Sequence, residues 1–178
     1  MIKDNLIKIL KNKSTLHILI GNIGAGKSTF LQSFFPFPKI TVSRDGIRYA
    51  LGAGQYLYDK TTEPIVHSTA LYTCDRLCKA SLKHIVIDET NVTKRNRKFY
   101  IDIAKYYKYY CVAWVLPRLD RATSVGRRLA SPHGKFKVSL WNKVWDMMEE
   151  AYICPTKEEG FNHIICLSKK DIGVAERV

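Results

Sequence analysis

Gly21-Asn22-Ile23-Gly24-Ala25-Gly26-Lys27-Ser28 follows the spacing G-x-x-x-x-G-K-[ST], and this stretch decides how the rest of the chain is read. Gly21, Gly24 and Gly26 let the backbone curl until successive N–H groups point inward at a β-phosphate. Lys27 reaches the β- and γ-phosphates as a point charge, and Ser28 offers its hydroxyl to Mg²⁺. The context matches the motif. Leu16 to Ile20 is an apolar run suited to a buried parallel strand, and it ends directly at Gly21. Ser28 to Phe35 reads as a helix, stopped by Pro36 and Pro38, whose positive end lies under the phosphates. ATP and Mg²⁺ are therefore the expected cofactors. The nucleotide segment comprises Gly21, Asn22, Ile23, Gly24, Ala25, Gly26, Lys27, Ser28 and Thr29, with Ser28 on the metal.

The loop does not say what receives a phosphate, because GTPases, ATP-driven motors and small-molecule kinases all share it. Working outward, strands are expected at Ile40–Ser43, His84–Ile87, Cys111–Leu116 and His163–Leu167. Helices are expected over residues 2–12, with Ile2, Leu6, Ile9 and Leu10 on one face, and over Glu63–Lys79, Thr93–Lys108 and Leu140–Tyr152. Alternating strands and helices predict an α/β three-layer sandwich with a parallel sheet. Residues 118–138 are basic, contain Ser-Pro-His-Gly and read as a mobile lid. With no repeat or linker, residues 1–178 are expected to form a single domain.

Composition narrows the class. The chain has 46% hydrophobic and 25% charged residues, and nothing approaches a membrane-spanning apolar run. Met1 to Asn12 lacks the apolar block of a secretory signal, so an intracellular, cytoplasmic protein is expected. Five scattered cysteines without a Cys-x-x-Cys pair read as reduced thiols; Cys74 and Cys78 share a helix face but lack further zinc ligands nearby. Lys plus Arg total 29 against 16 for Asp plus Glu, a net charge of +13 that suggests a polyanionic partner.

The acceptor side begins at Val42-Ser43-Arg44-Asp45-Gly46-Ile47-Arg48. In a parallel sheet the carboxyl ends of neighbouring strands face one crevice, so Asp45 should emerge beside the phosphate loop. A carboxylate there can take the proton of an attacking hydroxyl, while Arg48, one helical turn on, can grip an acceptor phosphate with its planar fork. The competing role for Asp45 is an N-cap for the following helix.

Phosphate loop, then a strand ending in Arg-Asp-x-x-Arg, then Ile85-Val86-Ile87-Asp88-Glu89-Thr90-Asn91, resembles the 5′-hydroxyl polynucleotide kinases. The resemblance continues to Met148, Tyr152, Pro155 and Glu159-Gly160-Phe161. It implies an ATP-dependent phosphotransferase of P-loop kinase type acting on a 5′-hydroxyl of DNA or RNA. It further implies Asp45 as general base, Arg48 on the acceptor phosphate, and an acidic substrate contact at Asp88 or Glu89. Arg44, Thr90 and Asn91 complete the acceptor-binding set, although Thr90 and Asn91 equally suit a turn that shapes the loop before Thr93. The chain departs from the family's spaced Arg-Asn-x-x-x-Arg lid. Ser124-Val125-Gly126-Arg127-Arg128-Leu129 stands there instead, leaving Arg127 and Arg128 to reach the transferred phosphoryl group, with Arg121, His133, Lys135 and Lys137 as further charge.

Lys94-Arg95-Asn96-Arg97-Lys98 with Phe99-Tyr100 suits a nucleic-acid strand, whereas Tyr106, Tyr107, Tyr109 and Tyr110 suit packing. Tyr56 and Tyr58 lie nearer the acceptor, with packing again the expected role. With no space expected for a phosphatase or ligase module, an end-healing kinase would need repair partners. Two rivals stand beside this reading: a kinase of a hydroxymethyl-pyrimidine in DNA or of a free nucleoside, and a nucleotide-gated nucleic-acid-binding ATPase. The latter has no use for a base opposite the loop.

Overall fold

The computed structural model describes residues 4–130, 134 and 136–172. Its sheet has five parallel strands: β1 (Thr15–Ile20), β2 (Ile40–Val42), β3 (His84–Ile87), β4 (Tyr110–Val115) and β5 (His163–Cys166). They lie in the order β2-β3-β1-β4-β5. The connecting helices are α1 (Asp4–Lys11), α2 (Lys27–Thr29), α3 (Arg44–Leu51), α4 (Glu63–Lys79), α5 (Lys94–Tyr106), α6 (Arg121–Ala130) and α7 (Val138–Glu150). The expected three-layer α/β sandwich is observed. Among the described residues no helix is long and apolar enough to cross a membrane.

The unbroken apolar strands follow from burial on both faces. Along β1, Leu16, Ile18 and Ile20 pack with Ala70, Cys74 and Cys78 of α4 and with Tyr100, Ile101 and Ala104 of α5. Leu19 faces the other layer, with Leu10 of α1, Phe30 and Leu31 after α2, and Trp114 of β4. His17 is on that face too, fully buried, and burial followed by the nearby His84 pushes its pKa down to about 3. It is therefore neutral. Because Trp114 Nε1 donates to His17 Nδ1 at 3.0 Å, the His17 proton belongs on Nε2, which faces His84 Nδ1 at 3.2 Å.

Local chemistry starts the helices. The Ser43 hydroxyl accepts from Gly46 N at 3.3 Å to cap α3, and the Thr93 hydroxyl accepts from Asn96 N at 3.2 Å to cap α5. Asp45 thus sits in the first turn of α3 and is not its N-cap. After α2 the chain continues as a π-helical turn, Phe30–Phe34, closed by Phe35 N donating to Phe30 O at 2.8 Å.

Three expectations are corrected. Ile9 leaves the buried face of α1 and is 46% exposed, because Leu6, Ile7 and Leu10 face the core. Within the lid segment Arg121–Ala130 is a helix that was not expected there, and Asp120 starts it by accepting from Thr123 N at 2.8 Å and from Thr123 Oγ1 at 2.7 Å. His133 and Lys135 lie outside the described residues. Arg97 does not belong to the surface cluster of Lys94, Arg95 and Lys98, since it is wholly buried. Its fork donates to Glu159 through Nε and Nη2, each at 2.8 Å, and Nη1 donates to the carbonyls of Asn91, Val92 and Ile153. It pins the loop after β3 to the turn before β5.

Removing one partner of a buried ion pair strands the other, at a cost of about 3–5 kcal/mol. Arg97→Met should therefore destabilise the protein by about that amount in urea unfolding, whereas Arg95→Met, on the exposed face of α5, should change it by less than about 0.5 kcal/mol.

Candidate active site

The carboxyl ends of β1, β2 and β3 open into one cavity of about 810 Å³. The phosphate loop forms its floor. Gly24 (φ +66°) and Gly26 (φ +97°) adopt left-handed backbone that a side chain rarely tolerates. A Cβ at Gly24 would stand 2.1 Å from the carbonyl oxygen of Ser124, so the loop touches the backbone of α6 directly. Ile23, Gly24, Gly26, Lys27, Ser28 and Thr29 line the cavity, while Gly21, Asn22 and Ala25 lie buried behind them.

Lys27 Nζ donates to the carbonyls of Gly21 at 2.9 Å and Asn22 at 2.8 Å. Its ammonium borders the cavity but is ringed by protein elsewhere. Burial lowers its pKa to about 8, against the opposing pull of Asp88 and Asp45 and with some help from Arg128. The loop is tied at its start. Gly21 N donates to Thr90 O at 2.9 Å, and the Asn22 side-chain amide donates to Trp145 O and to Glu149, each at 3.1 Å.

Asp45 enters from α3. Its Oδ1 accepts from Arg48 Nη1 at 2.6 Å and from the Tyr56 hydroxyl at 2.8 Å, while Oδ2 lies 3.7 Å from Arg128 Nη2. Burial, then Asp45, pushes the Tyr56 phenol pKa up, so it remains a donor. Arg48 is buried, and Glu63 takes its other edge in a bidentate pair at 2.8 and 2.6 Å. Arg48 therefore holds the carboxylate in place, a job different from the expected free grip on an acceptor phosphate. Glu63 and Tyr56 were not identified as members of this cluster from sequence. Glu63 carries no local signal, being only a first-turn acid eighteen residues downstream.

The loop after β3 separates its residues by role. Asp88 lines the cavity near Lys27, and burial raises its pKa despite that charge. Glu89 also borders the cavity, but it accepts from the Tyr100 hydroxyl at 2.7 Å and pairs with Arg44 Nε at 3.0 Å. Thr90 borders the cavity with its hydroxyl 3.9 Å from Met148 Sδ. Asn91 is wholly buried at φ +47°, and its amide donates to Leu19 O at 2.9 Å. Asn91 shapes the loop and does not face the cavity.

Above the floor, α6 contributes two arginines with different targets. Arg127 Nη1 is 3.7 Å from where a Cβ on Gly26 would stand, beside the phosphate loop. Arg128 turns to Asp45, with its guanidinium carbon 4.6 Å from the Trp141 ring centroid. Its Nε is buried without a hydrogen-bond partner among the described residues.

These residues fit a triphosphate and Mg²⁺. Gly24 and Gly26 hold left-handed backbone on the cavity floor beside Lys27 and Ser28, and Arg127 and Arg128 line the same cavity, a set of cations and one hydroxyl suited to anionic oxygens. Ser28 and Asp88 line the cavity near Lys27, and magnesium takes one or two protein oxygens plus phosphates.

Parallel sheet, glycine cradle and lid arginines together define a P-loop kinase fold. The chain matches the model of an AAA domain family, AAA_33, over residues 16–150, and it belongs to that family. No match was found among curated protein sequences. Among solved structures, the chain is similar to one of the Pnkp1/Rnl/Hen1 complex, with 25% identity and a TM-score of 0.54 over 65% of this chain and 39% of that one. A second, of the Pnkp1/Rnl/Hen1 RNA repair complex, gives 21% identity and a TM-score of 0.61 over 79% and 47%. The chain thus spans less than half the length of either. Chaetomium thermophilum Kti12 in complex with ADP-AlF3 gives 15% identity and a TM-score of 0.61 over 89% of this chain and 93% of that one.

With its pKa near 8, Lys27 loses its charge well below the ordinary lysine range, so triphosphate affinity should fall as pH rises through about 8. About one unit above that value, nucleotide binding should take up a proton, because phosphate favours the ammonium. Calorimetry in buffers of differing ionisation enthalpy reads this directly. The uptake should vanish in Lys27→Met, and its absence from the unsubstituted protein would show an unshifted ammonium.

Proposed function

We propose that the protein is an ATP-dependent kinase that transfers the γ-phosphate to a 5′-hydroxyl of DNA or RNA. The carrying observation is the carboxylate of Asp45, held by Arg48 and Tyr56 on the far side of the cavity whose floor is the phosphate loop. A nucleotide-gated ATPase needs no such group. The net charge of +13 and the likeness to chains of an RNA repair complex support a polynucleotide acceptor and repair partners. This reading takes residues 1–178 as one intracellular kinase domain with its lid near residues 118–138.

In this scheme Asp45 accepts the proton of the acceptor hydroxyl as its oxygen bonds to the γ-phosphorus and the bond to the β-phosphate oxygen breaks. Arg48 and Tyr56 fix the carboxylate by donating to Oδ1. Lys27 and Arg127 carry charge on the donor phosphates, and Arg128 bridges from Asp45 to the transferred group. Ser28, with Asp88 nearby, would hold a magnesium ion that neutralises phosphate charge. Arg44, tied to Glu89 through Nε, lines the acceptor side of the cavity and would also meet a strand phosphate.

Asp45→Asn should retain ATP affinity and lose turnover by at least about a hundredfold. Labelled ATP offered with 5′-hydroxyl oligonucleotides, hydroxymethylated duplex DNA and free nucleosides tests the acceptor class. The oligonucleotide should be preferred, and its apparent affinity should fall log-linearly with salt. A better nucleoside substrate with a flat salt response would replace the polynucleotide reading with a small-molecule one.

A further inference from the structure

Beside the Asp45 cluster the cavity changes character. Its wall is built from Tyr56 and Tyr58, from Phe136, and from Trp141, Val144 and Met147 of α7. The rings are arranged edge to face. Phe136 stands nearly perpendicular to Tyr56 at 6.3 Å, to Tyr58 at 6.2 Å and to Trp141 at 5.7 Å between centroids. The Arg48 guanidinium carbon lies 5.7 Å from the Tyr56 centroid and 5.6 Å from that of Tyr58. Tyr58 and Met147 are each more than half exposed although both line the cavity. Large apolar side chains left open inside a concave site are a binding surface.

Three facts fix what this surface takes. A polyhydroxyl sugar or small anion would lose water against Phe136 and Met147 without gaining hydrogen bonds there, a cost that an aromatic ring avoids. Edge-on rings with a cation beside them leave π surface for a planar group, the arrangement that stacks nucleobases. The wall is also joined to the acceptor machinery, since the Tyr56 hydroxyl donates to Asp45 itself. Its Tyr56–Tyr58 end therefore adjoins the attacking hydroxyl, while its Trp141 end meets Arg128 and the Ile23 side chain of the phosphate loop.

We infer that Tyr58, Phe136 and Met147 form a stacking site for the base of the acceptor's terminal nucleoside, so that the reactive alcohol is selected through the base beside it. This rests on the kinase reading for the identity of the acceptor. Charge brings the strand; the aromatic wall seats its first base.

The test compares a 5′-hydroxyl oligonucleotide with the same strand carrying an abasic terminal sugar, in both binding and phosphate transfer. Loss of the base should weaken binding by at least about tenfold in the unsubstituted protein. In Tyr58→Ala and in Phe136→Leu the two strands should bind nearly alike, while Tyr58→Phe should restore the preference. Tyr58 is exposed enough that its truncation leaves folding intact. ATP affinity should be unchanged in all three variants. Equal binding and transfer for natural and abasic ends would overturn the stacking site while leaving the kinase reading in place. Base-dependent binding with no transfer to either strand would do the reverse. A loss of ATP affinity in Tyr58→Ala, with acceptor affinity unmoved, would assign the wall to the donor's adenine and overturn the inference.

Discussion

The parallel register that sets Ile18 beside Ile87, and Ile87 beside Val42, governs everything at the cavity. It ends β2 and β3 at one level, so Ser43 and Asp88 emerge together, while β1 runs two residues further and delivers Gly21 beside Thr90. Backbone bonds hold that level beyond the strands. Asp88 N donates to Val42 O and Gly21 N to Thr90 O, each at 2.9 Å, and Asn91 reaches Leu19 O from below. Such convergence needs crossovers that return every strand in the same direction, which is the work of α4 and α5. Arg97 then locks the loop after β3 from behind. The phosphate loop and its facing carboxylate are consequences of strand pairing before they are consequences of their own sequences.

Charge is the second organising term. Three cations, Lys27, Arg48 and Arg128, and three carboxylates, Asp45, Glu63 and Asp88, are interspersed around the cavity. Taken singly, several would be too expensive to bury; together they offset one another's desolvation. Lys27 remains under-compensated, which is why its pKa falls. Arg48 is fully engaged, so its contribution is geometric: it fixes where the Asp45 carboxylate points. Arg128 touches this network only at long range and keeps a buried donor unpaired.

Arg121–Ala130 shows how a basic stretch becomes a packed helix. Gly24 admits the Ser124 carbonyl, Ile23 packs with Val125 and Trp141, and Asn22 ties the loop to α7 through Trp145 and Glu149. Donor floor and lid are thus one packed unit. A motion of α6 or α7 would be felt directly in the loop, because there is no layer between them.

Much of this was legible along the chain. The glycine spacing with its preceding strand, the period of α4, the capping threonine of α5 and the apolar strands are local properties, and local sequence determined them. So too was the proximity of Asp45 to the phosphate loop, since topology rules alone bring strand ends together. Four things were decided only in three dimensions. Arg97 reads as a surface charge until Glu159, sixty-two residues away, supplies a buried partner. Arg48 reads as a free grip until Glu63 and Asp45 occupy its fork. Arg121–Ala130 shows no helix in its sequence until α7 gives α6 an apolar face to cover. Tyr58 and Phe136 read as unrelated aromatics until the fold sets them edge to face beside Asp45. In each case the deciding partner is distant in sequence: whether a charge is paired, or a ring covered, depends on what the tertiary structure brings within a few ångströms, and spacing along the chain does not encode that.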